Sequence, residues 1–449
     1  MAKEKSVFVC ENCGAKQPKW MGKCPSCGAW STLVEEVEVK LPKNISNKEF
    51  EKYSLDSIFI EENIRYTSNM KEFDRVLGGG LVKGEVVLLT GNPGIGKSTL
   101  LLQVSEEYTK YGEVFYISGE ESVNQIKYRS QRLGVKNSNI FLINETDIEI
   151  LESNIKKTKP ALVVIDSIQT IYSSLQDSIP GTVTQIREST LRIIDLAKSL
   201  EIPFFIVGHI TKDGKVAGPK LLEHMVDCVL QFEGEEGNYY RILRSLKNRF
   251  GSTNEIAVFN METDGMQEVE NPSEFFLSER DEKNIGSLVV PVLEGTKVFL
   301  LEVQSLLISS SFGMPRRVVQ GFDRSRLEII TAIIEKKLGI NLGNLDLFIN
   351  IPGGIAIKDT SADLSVVISI FSVIKETAIS QKIAAIGELG LRGEIRKVSF
   401  ISKRLNELEK LGFTGVYVPE SNRKEIENEK YKLKLIYLKN LGELIERMR

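Results

Sequence analysis

Nine consecutive residues, Gly91-Asn92-Pro93-Gly94-Ile95-Gly96-Lys97-Ser98-Thr99, have the composition of a polyphosphate cradle. Their pattern is G-x-x-x-x-G-K-[ST]. The apolar run Val86-Val87-Leu88-Leu89-Thr90 precedes it, and Leu100-Leu101-Leu102-Gln103-Val104 follows. That context reads as strand, loop and helix, the arrangement in which such loops work. Glycines let successive backbone N–H groups converge on phosphate oxygens, and the helix N-terminus adds partial positive charge. Lys97 has the reach for the β- and γ-phosphates, and Ser98 has a hydroxyl for Mg²⁺. The spacing predicts a site for a nucleoside triphosphate with Mg²⁺.

Acidic and polar residues follow at the ends of further apolar runs. Val114-Phe115-Tyr116-Ile117-Ser118 leads into Gly119-Glu120-Glu121-Ser122. In an open α/β sheet the carboxyl ends of the strands face the ligand crevice. Glu120 is therefore the candidate general base that polarises attacking water, with Glu121 the weaker choice. The competing role is an acid at the start of the next helix. Ala161-Leu162-Val163-Val164-Ile165 ends in Asp166, which suits the Mg²⁺ shell. Ile202-Pro203-Phe204-Phe205-Ile206-Val207-Gly208 ends in His209, placed to touch the γ-phosphate or to serve as a structural histidine. The loop after it carries Lys212, Lys215 and Lys220. It fits either phosphate-backbone contact or a solvated turn. The basic cluster Lys247-Asn248-Arg249-Phe250-Gly251 closes another strand-like segment.

A second chemistry is written near the N-terminus. Cys10-x-x-Cys13, ten residues, then Cys24-x-x-Cys27 offers four thiolates to one Zn²⁺ in a closed, structural shell. Gly14 and Gly28 follow the second cysteine of each pair, where a knuckle turns through positive φ. Both tryptophans of the chain, Trp20 and Trp30, lie here. They form either the module's small core or a stacking surface.

These sites need more than one core to hold them. At 449 residues two or three domains are expected. The reading is a zinc ribbon over 1–35, a linker over 36–66, an ATPase domain over 67–266, an acidic linker over 267–285 and an α/β domain over 286–449. The fold class is α/β. No apolar run approaches the ~20 residues of a membrane span, and the first ten residues lack a signal core. A cytoplasmic protein with no membrane partner is expected. Net charge of −3 means any nucleic-acid binding must come from local basic surface.

On these motifs the chain resembles the bacterial RadA (Sms) family of DNA-repair ATPases. The ribbon cysteines with Pro18, Trp20 and Trp30, the loop 91–99, Gly119-Glu120-Glu121-Ser122, Asp166 and above all Lys247-Asn248-Arg249-Phe250-Gly251 carry the likeness. The resemblance implies a RecA-like core with a central, mostly parallel sheet, in a homo-hexameric ring related to replicative helicases. It implies a DNA-dependent ATPase driving branch migration in repair and recombination. Single-stranded and branched DNA and the recombinase of strand exchange are the implied partners. Lys247 and Arg249 would reach a neighbour's γ-phosphate or couple that site to DNA. A ring-forming regulatory ATPase or kinase of the clock-protein type shares the core and is the alternative.

Residues from Gly286 on resemble the proteolytic domain of Lon proteases, through Gly353-Gly354-Ile355-Ala356-Ile357-Lys358-Asp359-Thr360-Ser361 and the stretch 387–394. An ATP-gated serine protease is therefore a second alternative. Its chemistry needs a serine activated by a lysine. Ser361 falls at the serine position, but the lysine position falls on Ser402, with Lys403 one residue later. One helical residue turns a side chain by ~100°, so Lys403 is a poor substitute. A silent scaffold is expected. Arg316 and Arg317, with Arg324 and Arg326, are its candidate DNA contacts, against a role in ion pairs between subunits.

Overall fold

The continuous apolar runs become the interior strands of a parallel sheet. The computed structural model describes residues 6–37, 54, 65–209, 218–234, 240–253, 255–277, 285–310, 315–353 and 355–448. The expected contacts Lys212 and Lys215, most of the 36–66 linker and Gly354 lie outside them, as do the side chains of His209 and Lys220. Two compact units divide the chain. The first is Met1–Phe232 with Ser245–Ser252 and Thr263–Gly265, and the second is Glu233–Arg244, Thr253–Glu262 and Met266–Arg449.

In the first unit the parallel strands lie in the order Cys228–Glu233, Val86–Gly91, Phe204–His209, Leu162–Asp166, Val114–Ser118, Ile140–Ile143. Val86, Val87, Leu88, Leu89, Val163 and Phe204 are fully buried, as a sheet covered on both faces requires. The helices Lys97–Tyr108, Val123–Arg132, Ile148–Thr158 and Val183–Leu200 make the crossovers. All these strands point their carboxyl ends the same way. Gly91 is paired with His209, and Ser118 with Asp166. The order explains how Gly91 and His209, 118 positions apart in sequence, reach one crevice.

The ribbon at the start of this unit is a three-stranded antiparallel sheet, with Ser6–Cys10 between Lys16–Gln17 and Leu33–Val37. Its small core is Cys10, Cys24 and Leu33 with Phe8 and Ala15 against them. The tryptophans are not in it. Trp20 is 59% exposed and Trp30 71%, which corrects the small-core reading. The cysteine cluster supplies the cohesion that so small a unit would otherwise seek from aromatic rings.

The second unit is built on a seven-stranded mixed sheet, ordered Arg317–Gln320, Leu345–Asn350, Lys297–Ser309, Ser287–Glu294, Ile383–Ala385, Gly415–Pro419, Lys434–Leu438. The helix Asp363–Ile374 is buried over most of its length, as its mostly apolar sequence demands, and its buried Asp363, Ser365, Ser369 and Ser372 are hydrogen-bonded. The outer half of the hairpin Tyr240–Asn248 and Ile256–Glu262 belongs to this unit, because Ile256 and Val258 enter its core. The stretch 267–285, expected as a linker, is ordered at its start. A helix spans Pro272–Leu277, and Phe276 packs edge-on to Tyr240 and Phe299. The linker 36–66 likewise ends inside the first unit, where Arg65 donates to the carbonyls of Gly80 and Phe250. Among the described residues no helix is long and apolar enough to cross a membrane.

Candidate nucleotide site

A cleft of about 380 Å³ opens where the strands end, lined by Pro93, Gly94, Lys97, Glu120, Arg129 and Asp166 among others. Gly91 must be glycine here. Its φ is +149°, and a Cβ would lie 2.9 Å from Phe232 Cβ. The helix Lys97–Tyr108 starts at Gly96 with no side-chain cap, so its first N–H groups are left for an anion. Lys97 is 4% exposed, and its Nζ donates to the carbonyls of Gly91 at 2.8 Å and Asn92 at 3.0 Å. Burial pushes its ammonium down to about 8, against the opposing pull of Asp166 and Glu120. A buried, depressed lysine beside two carboxylates and an uncapped helix fits the phosphates of ATP. Asp166, 6% exposed, accepts from Tyr116 Oη at 2.8 Å and keeps its other oxygen for a cation. With Ser98 on the same cleft, the pair would hold Mg²⁺.

The two glutamates separate cleanly. Ser122 caps the next helix in a full capping box with Gln125, so neither Glu120 nor Glu121 is needed there. Glu121 is ion-paired with Arg129. Glu120 accepts from Ser167 Oγ, on the residue after Asp166. Its carboxylate is thus held beside Asp166 on the same cleft, where it could polarise a water. Neither Ser167 nor Tyr116 is a residue that motif spacing singles out.

Lys247 and Arg249 lie at the other end of the same sheet. Lys247 Nζ donates to the carbonyls of Glu223, His224 and Val226, closing the helix Gly218–Met225. Arg249 N donates to Asp227 O, and Asp227 N to Val86 O, the first residue of the loop strand. Five residue steps along the strand Val86–Gly91 separate that end from Gly91, roughly 17 Å at ~3.3 Å per residue. Neither cation reaches the phosphate loop of its own chain. Arg249 remains 58% exposed, with a 3.5 Å contact to Asp227.

The cysteines behave as two equivalent knuckles. Gly14 N donates to Cys10 O and Gly28 N to Cys24 O, at φ of +72° and +73°. All four Sγ atoms lie within 4.8 Å of one another, and Cys10–Cys27 and Cys13–Cys24 are each 3.7 Å apart. A tetrahedral ion with S at ~2.3 Å needs an S–S edge of about 3.8 Å. The donor set therefore fits Zn²⁺. Cys24→Ser will lower zinc affinity by more than the ~10–100-fold typical of an outer-shell partner. Metal analysis and proteolysis of residues 6–37 will show it, with the nucleotide cleft intact.

In the second unit the serine cleft is closed to peptidase chemistry. Ser361 is 1% exposed, and its Oγ accepts from Arg404 Nη1 at 2.9 Å. Ser402 instead donates to Glu429, and Lys403 Nζ lies 5.4 Å over the Phe400 ring. Arg404, two residues beyond the expected lysine position at Ser402, is the basic side chain that meets Ser361. A guanidinium does not take a proton from serine. The signal was present in the helix Ile401–Lys410, where Ile401, Arg404, Leu405 and Leu408 share the buried face.

The arginine cluster is largely absorbed by its own unit. Arg326 pairs with buried Asp363, and Arg316 with Asp346 at 2.7 Å. Arg317 donates to the carbonyls of Leu345 and Leu342. Arg316 still leaves 59% of its side chain exposed.

Residues 8–35 match the rubredoxin metal binding domain, 64–215 an AAA domain, and 329–448 the C-terminal proteolytic domain of Lon protease (S16). The chain is 49% identical over 430 residues to the DNA repair protein RadA of Bacillus subtilis (strain 168), covering 94% of each. It is 47% identical over 427 residues to that of Aquifex aeolicus (strain VF5), covering 95% of this chain and 96% of the other. These matches agree with the cysteine cluster and the phosphate cleft, and ATP, Mg²⁺ and Zn²⁺ are its cofactors. The chain belongs to the RadA family of DNA repair proteins, with an ATPase domain that follows a zinc ribbon and precedes a Lon-like domain.

Proposed function

We propose that this ATPase is a DNA-dependent motor, moving on single-stranded DNA as a homo-hexameric ring and driving branch migration of recombination intermediates. One observation carries the reading. Lys97, Glu120 and Asp166 stand at one end of the sheet, while Lys247 and Arg249 stand at the other, beyond reach of their own loop. A site of this kind is completed by a second copy, and one patch meeting a different patch on the next copy closes a ring. Arg249 then supplies positive charge to the γ-phosphoryl group in trans. Lys247 positions the end of the helix beside it. DNA is held through phosphates by the basic segments, Lys212, Lys215 and Lys220 with the exposed part of Arg316, so binding falls steeply with salt. The protease alternative is disfavoured by Arg404 at Ser361.

Complementation between inactive variants tests this. Single-stranded DNA will raise the ATPase rate of the native chain. Arg249→Ala alone will lose about 10³-fold, as for other arginines supplied in trans. Mixed with Lys97→Ala, it will regain activity, because random mixing completes about a quarter of the sites. No recovery on mixing, or a rate indifferent to DNA, overturns the reading. Phosphate transferred to the protein itself would favour the kinase alternative.

A further inference from the structure

The two tryptophans do not hold the ribbon together, yet they are adjacent. An ideal Cβ on Gly22 would lie 3.8 Å from Trp30 Cζ3 and 3.9 Å from Trp20 Cη2, so both indoles border one point on the surface. Met21 beside them is 38% exposed. Lys23 forms a bridge with Trp30 and places its Nζ 5.6 Å from the ring centroid. Lys19 precedes Trp20. From Asn12 to Val34 the sequence holds three lysines and no acidic residue. Each indole left in water is a large apolar face that a module of this size would ordinarily bury.

We infer that Trp20 and Trp30 form a stacking platform for the bases of single-stranded DNA, with Lys19 and Lys23 on the phosphates. Flat rings with cations beside them are the combination that holds single strands without reading sequence, because every base has a π-face. The absence of acid across 12–34 removes the repulsion that a phosphate backbone would meet. A peptide partner would be better served by apolar enclosure than by Gly22 and two lysines around the rings. The inference rests on the DNA reading above and adds a contact outside the ATPase domain.

The chain has only these two tryptophans, so all of its indole emission reports on them. Full-length, zinc-loaded protein is titrated with a dye-labelled oligo(dT), following emission and dye anisotropy together. Emission will be quenched in step with the anisotropy rise. The double variant Trp20→Ala, Trp30→Ala will bind oligo(dT) about 10- to 100-fold more weakly, and the double Phe variant will keep most of the affinity. Equal zinc content in all forms shows the ribbon folded. Emission that stays constant while DNA binds overturns the platform. So does native affinity in the double alanine variant, which would leave a protein as the occupant. Failure of the native chain to bind DNA at all overturns the motor reading as well, so the two failures are told apart.

Discussion

Lys97→Ala will lower the turnover of ATP by about a hundred- to a thousandfold, the usual cost of removing one preorganised charge from a phosphoryl-transfer site. The loss will be catalytic, not structural. In the folded chain burial holds the Lys97 ammonium down to about 8, from an ordinary 10.5. A lysine depressed by folding favours the unfolded state wherever it is charged. That penalty is fully present below pH 8 and fades as pH rises from 8 toward 10.5. Alanine removes it, so the variant will be at least as stable as the native chain at neutral pH. The same shift makes nucleotide binding pH-dependent. Phosphates beside Lys97 restore its charged form, so ATP binding takes up protons above about pH 8, and affinity falls as pH rises through that value. Calorimetric titration in two buffers of different ionisation heat measures the uptake. A thermal scan separates stability from rate. An Ala variant that hydrolyses ATP at the native rate would remove Lys97 from the mechanism.

Half of this site was legible without coordinates, for a physical reason. The phosphate loop, the capped Glu120 turn and Asp166 are local: each is a strand followed by its own carboxyl-terminal loop. Spacing alone reports them. The zinc knuckles are equally local, since each pair of thiolates is set by a turn of four residues. What spacing does not report is strand order. The motif Lys247–Gly251 announces cations, but only the pairing of Asp227 with Val86 places them at the far end of the sheet. Lys247 also illustrates a competition for donors. Its ammonium satisfies three carbonyls at a helix end, a need invisible until the helix is placed beside it. The tryptophans failed for the opposite reason. Large aromatic rings usually indicate core, and here a ligand cluster replaced that core. The arginines of 316–326 read as a basic patch because their partners, Asp346 and Asp363, lie 30 and 37 residues away.

Arg404→Ala will be the most destabilising single change in the Lon-like unit. Arg404 is 3% exposed and donates to Pro291 O, to Ser399 O at 3.0 Å and to Ser361 Oγ, and it pairs with Asp359 at 2.7 Å. Asp359 also accepts from the backbone N–H groups of Ser361 and Leu293. Burial pushes the Asp359 carboxyl up, but Arg404 beside it and the N–H groups of Ser361 and Leu293 together outweigh this and hold it below the usual carboxylate range. Truncation leaves that carboxylate buried without its cation and two carbonyls without donors. Breaking such a pair costs about 3–5 kcal/mol, on the order of 10 °C in the melting of a unit this size. A carboxylate depressed by folding stabilises above its unfolded pKa and loses that contribution as pH falls through the folded one. The gap between native and variant will therefore narrow in acid, where Asp359 is protonated in both. Arg404→Lys will recover part of the loss, since one ammonium replaces the charge but not the fork that meets four acceptors. It will not restore peptidase activity. Asp359 holds the new ammonium protonated, and a protonated amine takes nothing from Ser361. Casein assays of the native chain, Arg404→Lys and Ser361→Ala will read the same background. Hydrolysis by the lysine variant, lost again with Ser361→Ala, would mean the cleft is a peptidase stopped only by its arginine.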